Sequence, residues 1–576
     1  MKILFSALHF ANLRNFESVV RALAGRGHEV HLLADEREGF GGQALVERLA
    51  ADCPGVTWGW APSPAGEPWF PVAQKLRYAL DYVRFLDPRY ADVPKLRLRN
   101  IARTPRLIRW LAPLGHVPVT ALLTWLERSM PRSAAVERFV AAHAPDVVVL
   151  TSLTFSRSFQ IEQLKAARGL GIPVAAAILS WDHLSSKALL HIAPDMTIVW
   201  NEVQKREAVE MHGLPADRVI VTGAQCYDQW FDRQPARTRD AFCRDVGLDP
   251  ARPIVLYVCS TMSPPPHPLE PHFVREWVTA LRSGGDPLLR DAGVLVRPHP
   301  ERIKEWEGVS LDGFDNVVIH GRMPLDGDAK ADYFDALYHS DAVVGLCTSA
   351  FLEAAIAGCP VLTLLLPEYR IHQEGMAHFR YLLHVEGGLL HTAPDMAAHV
   401  GQLSVVLHHR GGRDERTERF LTAFVRPGGL DVPATPAFVD AVERLAHEGR
   451  RAPDPRFATP SPAGAFVGRL AAAGGAGVGR WLLMDDVDAQ RVESERLRGA
   501  QKRSVLDERA ARWEAERRAR TDRIRAKDEQ RLAKERREAA KRRVGQWRRW
   551  RYAVSTRGPI ALLKGGLRHF TGARHP

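Results

Sequence analysis

The sequence predicts two doubly wound α/β domains in tandem, followed by a linker and a long basic helical tail. Three observations predict it. Short apolar runs alternate with stretches of helical periodicity; two such series follow one another, each of roughly 200 residues; and after about Gly449 the composition turns first to Pro, Ala and Gly and then to Arg and Glu. A chain of 576 residues also exceeds what one hydrophobic core serves.

The first series opens with Lys2–Leu8, an apolar run that reads as a buried strand. Phe16–Ala24 then repeats apolar residues at helical spacing, and His28–Ala34 is the next strand, a βαβ opening that implies a parallel sheet. Val56–Trp60, Asp146–Leu150, Pro173–Leu179, Met196–Trp200 and Arg218–Thr222 are further strands, with helices such as Ser158–Arg168 and Val203–His212 between them. A Pro-, Trp- and Arg-rich insertion interrupts the series at about 69–133. It reads either as a helical pack on the sheet or as an acceptor-binding or membrane-surface element.

The polar stretch Asp232–Asp240 reads as an inter-domain linker, giving a first domain of 1–235 and a second of 236–448. The second series has strands at Pro253–Cys259, Gly293–Arg297, Asn316–His320, Asp341–Leu346 and Pro360–Leu366. Two doubly wound sheets place a ligand cleft where their strand ends face each other. Residues 449–484 read as a linker, 485–546 as a charged helix, either solitary or paired in a coiled coil, and 547–576 as an aromatic and basic end suited to a lipid interface.

Charge separates body from tail. The whole chain carries +12, but from Arg491 onward 27 Lys and Arg face 11 Asp and Glu, which leaves the body slightly acidic. The tail therefore suits an anionic membrane surface, and its interleaved acids argue against a stripe that tracks nucleic acid. Six scattered cysteines, none in a C-x-x-C pair, fit a reducing compartment and neither a disulfide framework nor a zinc site. No run of ~20 apolar residues occurs and the N-terminal run is short for a signal peptide, so the expected location is cytoplasmic, with peripheral attachment to the inner membrane face.

Four segments carry candidate chemistry. VLVRPHP, Val294–Pro300, ends a strand in Arg297 and His299, a guanidinium and an imidazole suited to phosphate. In Ser340–Leu364, Thr348 and Ser349 open a helix after a buried strand, where hydroxyls and unpaired N–H groups hold a diphosphate, and Glu353 follows one turn on, placed for ribose hydroxyls. Gly223, in VIVTGAQCYD, permits a turn at the end of the first domain, the expected hinge. His320 and Gly321 either line a base pocket or simply turn the chain after a strand.

In this order, R-P-H-P, S-D-x-V-V and T-S-x-x-x-E-A-x-x-x-G-x-P resemble the GT-B superfamily of glycosyltransferases. The likeness is greatest to the branch of UDP-N-acetylglucosamine 2-epimerase-like proteins, CDP-glycerol glycerophosphotransferases and capsule or lipopolysaccharide glycosyltransferases. Trp200–Asp228 resembles the same branch. The resemblance implies two Rossmann-like domains facing a cleft, phosphate contacts from His299, Thr348 and Ser349, and a ribose contact from Glu353. The epimerases carry a glycine-rich, doubly acidic version of the segment that here reads TSAFLEAA, which counts against epimerisation.

A base for the acceptor hydroxyl is expected from the first domain. His9, with Asn12 and Arg14 in the same turn, is one candidate, and Asp182, clustered with Trp181, His183 and Lys187 in LSWDHLSSK, is the other. If neither lies close to the reacting carbon, a retaining mechanism is the easier to defend. No D-x-D occurs at a strand end, so no metal or other cofactor is expected, and helix dipole and Arg297 are left to stabilise the leaving diphosphate. The expected activity is transfer of a sugar from a nucleotide-sugar donor to a polysaccharide or lipid-linked acceptor. Two alternatives stand beside it: polyol-phosphate transfer from a CDP-activated donor, and a non-catalytic scaffold that works through its basic tail.

Overall fold

The computed structural model describes residues 1–458 apart from 39–40, 94–95, 97–99, 102, 113–114, 263–268, 322–326 and 410–412. Beyond these it describes scattered positions between 464 and 527, and 529–556 apart from 553. The chain forms two compact units, Met1–Asp485 and Asp486–Pro576.

The first unit holds two parallel sheets. The N-terminal sheet has seven strands: β1 (Lys2–Ala7), β2 (Glu29–Ala34), β3 (Val56–Trp60), β4 (Val147–Leu150), β5 (Val174–Ala177), β6 (Met196–Val199) and β7 (Val219–Val221), in the order β3-β2-β1-β4-β5-β6-β7. The C-terminal sheet has six: β8 (Ile254–Val258), β9 (Gly293–Arg297), β10 (Val317–Ile319), β11 (Ala342–Val344), β12 (Val361–Leu364) and β13 (His391–Ala393), in the order β10-β9-β8-β11-β12-β13. The central strands are buried on both faces, as β4, β5, β6, β8 and β9 show, which is why they read as unbroken apolar runs. Strand order reverses between β1 and β4 and again between β8 and β11, the switch points where a crevice opens beyond the strand ends. Twelve of these strands are anticipated by the sequence. The exception is β13, a three-residue edge strand reading His-Thr-Ala, too short and too polar to make an apolar run.

The insertion is helical, with helices Phe70–Arg84, Arg106–Leu111 and His116–Ser129. It is fastened to the sheet layer by a buried ionic cluster. Arg77 bonds Glu127 at 2.9 Å and Glu162 at 2.5 Å, and Lys165 reaches Glu127 at 2.9 Å. All four side chains are shut off from water.

The two domains are joined by two chain crossings. Ala224 N–H donates to Val425 O at 2.8 Å where they meet. Asp228 gathers both crossings, accepting from Arg426 Nη2 (2.9 Å), Ala434 N–H (2.9 Å), Thr435 N–H (2.7 Å) and Thr435 Oγ1 (2.6 Å). Gly223 sits here with φ +92°, and a Cβ on it would lie 2.7 Å from the Ala434 Cβ, so the close approach of the two segments requires glycine.

The domain limits differ from those expected. The Ala434–His447 helix, expected in the second domain, completes the first: Phe438, Val439, Val442 and Leu445 pack with Ile3, Phe5, Val19 and Val147. The start of the expected linker is packed as well. Arg451 bonds Asp195 at 2.8 Å, Asp454 N–H donates to Arg168 O at 3.0 Å, and Phe457 is buried beside Leu164 and Ile172.

A further contact joins the domains beside the crossings. Tyr381, on the Ala377–His384 helix, donates its hydroxyl to Glu207 at 2.6 Å, and burial lifts this carboxyl to about 7. The native state thus holds the proton more tightly than the unfolded chain does. That stabilisation is complete below about pH 4.5 and is lost as pH rises to about 7. Glu207→Gln is expected to remove about 3 kcal/mol of pH dependence across this window, read as a flatter profile of unfolding free energy against pH.

In the second unit, residues 529–556 are helical where described, and Trp547, Trp550 and Tyr552 are exposed among arginines. The expected apolar positions Ile560, Leu562, Leu563, Leu567 and Phe570 lie outside the described residues. Among the described residues no helix is long and apolar enough to cross a membrane.

Candidate active site

A cleft of about 530 Å³ opens where the two sheets' strand ends face each other. Its C-terminal wall is built from strand ends, as the sequence anticipates. Arg297 and His299 follow from β9, Thr348, Ser349 and Glu353 follow β11, and all five line the cleft. His299 Nδ1 accepts the Glu301 N–H at 3.2 Å, so the neutral ring carries its proton on Nε2 and offers a donor. Burial lowers the His299 pKa, which favours that neutral form. Ser349 stands exposed at the N-terminus of the Ala350–Ile356 helix.

Glu353 is held by Tyr333, whose hydroxyl donates to it at 2.5 Å, and Arg297 lies 4.8 Å over the Tyr333 ring. Burial raises the Glu353 carboxyl to about 7, against the Tyr333 hydrogen bond and the charges of Arg14 and Arg297. Arg297 itself is buried and bonds Asp332 at 3.1 Å. Asp332 also takes Arg237 at 2.9 Å and His320 at 3.2 Å. Burial alone would raise its pKa, but these three partners hold it below the ordinary range.

His320 therefore does not reach the cleft. It lies beyond Asp332 and lines a separate hollow with Arg237, Asp328 and Asp335, because β10 is the edge strand of its sheet and its end opens outward. Gly223 is likewise absent from the cleft wall, which the crossing segment supplies through Cys226, Tyr227, Trp230 and Arg233.

The N-terminal wall comes from the turns after β1, β4 and β5: Asn12, Arg14 and Asn15, then Phe155, then Ser180, His183 and Lys187. Neither expected base is on it. His9 sits one turn back, its N–H donating to Asn12 Oδ1 at 3.4 Å, and burial lowers its pKa. Asp182 turns its oxygens to Ser180 Oγ (2.7 Å) and Ser186 Oγ (3.1 Å). Burial would raise its pKa, but His183, Lys187, His378 and the Ser180 hydroxyl hold it well below the usual carboxylate range. Its neighbour His183 lines the cleft instead. The ring is buried, its Nδ1 lies 3.3 Å from Thr154 Oγ1, and Phe155 packs edge-on at 5.1 Å. Burial lowers its pKa to about 4, so it is neutral at neutral pH.

The cleft is cationic. Among the described residues, Arg14, Lys187, Arg233, Arg297 and Lys330 line it against two carboxyl groups, Glu301 and Glu353. Lys330 also reaches Glu17 of the opposite domain at 3.4 Å. Arg233, Lys330 and Tyr333 carry no sequence signal beyond their types. Lys330 and Tyr333 stand three apart on the Gly327–Tyr338 helix, and that spacing is the one clue that they share a face.

Fold and site thus define a two-domain, doubly wound α/β protein with a cationic cleft between its sheets. No family model matches the chain, and no curated protein matches it. Solved structures do. A glycosyltransferase from Rickettsia africae matches 77% of this chain and 98% of its own at 11% identity, with a TM-score of 0.45. A UDP-GlcNAc 2-epimerase from Neisseria meningitidis, bound to UDP-GlcNAc, matches 77% of this chain and 100% of its own at 11% identity, TM-score 0.45. The wall teichoic acid polymerase TagF matches 46% of this chain and 60% of its own at 13% identity, TM-score 0.31.

Proposed function

We propose that the protein transfers a sugar from a nucleoside-diphosphate donor to an acceptor hydroxyl, with the donor held on the C-terminal wall. One observation carries the reading: among the described residues, five Lys and Arg and two carboxyl groups line the cleft, and one of these, the part-buried Glu353, stands one helical turn from the Thr348 and Ser349 hydroxyls. Glu353, fixed by Tyr333, takes the ribose hydroxyls. The His299 Nε2–H and the Thr348 and Ser349 hydroxyls take the diphosphate. In the reaction the bond from the anomeric carbon to the diphosphate oxygen breaks as the acceptor oxygen attacks. His183 accepts the acceptor's proton, and the imidazolium so formed lies beside the Asp182 charge. The charge on the leaving diphosphate is met by Arg297 and its cationic neighbours, a role we assign to side chains instead of a metal.

A thermal-shift panel of UDP, CDP, GDP, ADP, dTDP and CMP tests this. One nucleoside diphosphate is expected to stabilise the protein, by about 2.7 kcal/mol at a hundred times its Kd, and to lose that effect with Glu353→Ala. No shift with any nucleotide would favour the scaffold reading. Release of a nucleoside monophosphate during turnover would move the reading to phosphoryl transfer.

A further inference from the structure

The insertion has an outer face that the cleft chemistry does not use. On the His116–Ser129 helix, Val119 and Leu123 are buried against the Phe70–Arg84 helix, where they pack with Ala73, Leu76 and Leu80. The opposite side of the same helix shows Val117 (66% exposed), Leu122 (46%) and Trp125 (55%) to solvent, and the adjoining Arg106–Leu111 helix adds Trp110 (62%). Four large apolar side chains thus stand exposed within one short stretch, two of them tryptophans, on helices already anchored from behind. Such clustering marks a contact surface.

Charge says which contact. From Lys95 to Arg128 the sequence has seven Lys and Arg and a single acid, Glu127. Glu127 is buried, bonded to Arg77 and Lys165. No carboxylate of this stretch therefore reaches the surface, while Arg128 is exposed and Arg103, Arg106 and Arg109 are partly so. Tryptophans accompanied by basic side chains match a lipid–water interface whose headgroups are anionic: the rings enter the headgroup layer and the guanidinium groups meet its phosphates.

We infer that the exposed face of the Arg106–Leu111 and His116–Ser129 helices docks on an anionic lipid bilayer. The inference does not rest on the transfer chemistry proposed above, and it assigns lipid contact to the body of the protein and not to the basic tail. It has a consequence for the cleft. The supporting Phe70–Arg84 helix carries Asp81, which accepts the Leu189 N–H at 2.8 Å, and Arg84, which donates to Leu184 O at 2.7 Å. Both bonds brace the segment that holds His183 and Lys187 in the cleft wall. The docked face and the cleft are thus two sides of one braced assembly.

Hydrogen exchange of the full chain, with no nucleotide present, tests the inference. Vesicles of phosphatidylcholine with phosphatidylglycerol are expected to protect peptides spanning 106–128, and pure phosphatidylcholine vesicles to protect them far less. Trp110→Ala with Trp125→Ala is expected to weaken vesicle partition by about tenfold with an unchanged Tm, since both side chains are exposed in the folded protein. Four results would each overturn the inference: protection confined to 529–556, equal protection by the neutral vesicles, protection of 106–128 by an RNA oligomer but not by vesicles, or a lipid-free dimer that the double substitution dissolves.

Discussion

His183→Ala is expected to lower kcat by about 10²–10⁴, the range of a lost general base, while the thermal shift given by the stabilising nucleotide stays as in the wild type. The split between rate and donor binding follows from placement. His183 stands on the N-terminal wall, and the residues proposed to hold the donor stand on the other. Asp182→Asn is the informative partner. The Asp182 oxygens are spent on Ser180 and Ser186, so a loss of less than about tenfold is expected, arising from a weaker field on the imidazolium. If Asp182→Asn costs as much as His183→Ala, the carboxylate is the base after all. Assays of initial rate under saturating donor, paired with nucleotide titration of each variant, separate the outcomes.

The second large effect is on stability. Arg77→Ala is expected to cost about 3–5 kcal/mol, because it leaves Glu127 and Glu162 buried with Lys165 as their remaining cation. An ionic cluster in a dry interior gains little over apolar packing when whole, but it is costly to break, since a charge without a partner cannot recover its hydration. Burial opposes the Glu127 charge, yet Arg77 and Lys165 pull its carboxyl down to about 2, which shows how much of its ionisation depends on those cations. Arg77→Met combined with Glu162→Leu should recover most of the loss, because removing one charge of each sign restores the balance. Chemical denaturation of the single and double variants measures both. A loss under about 1 kcal/mol for Arg77→Ala would show that water reaches the cluster. Since the cluster fastens the insertion, limited proteolysis of Arg77→Ala should cut first within the insertion, at about 69–133.

The particular residues show why the strands were legible and the connections were not. β4, β5, β6, β8 and β9 are buried on both faces, so their sequences are almost wholly apolar and announce themselves without any knowledge of neighbours. The Ala434–His447 helix is just as amphipathic, but its periodicity says only that one face is covered, not by which domain. That it packs on Ile3 and Phe5, more than 400 positions away, is a property of the crossings that Asp228 ties together. The cleft divides in the same way. Arg297, His299, Thr348, Ser349 and Glu353 follow directly from strand ends of one sheet, where position along the chain nearly fixes direction in space. His320 follows a strand end too, but β10 is an edge strand, and strand order is not written in local sequence. Between Asp182 and His183 the choice is one residue wide, and a single turn of backbone decides which side chain faces the cleft and which faces Ser180 and Ser186.

The sequence alone thus determined the two parallel sheets, their alternation with helices, and the residues that the C-terminal sheet's strand ends bring to the cleft. All of these depend on periodicity and on what lies immediately after a strand. Only the tertiary structure decided which domain the last helix completes, that His183 and not Asp182 or His9 lines the wall, that Lys330, Tyr333 and Arg233 join it, and that Glu127 is buried so that the insertion's outer surface is basic and aromatic. Each of these turns on contacts between residues far apart in the chain, and such contacts are set by packing and desolvation across the whole fold, which no local pattern records.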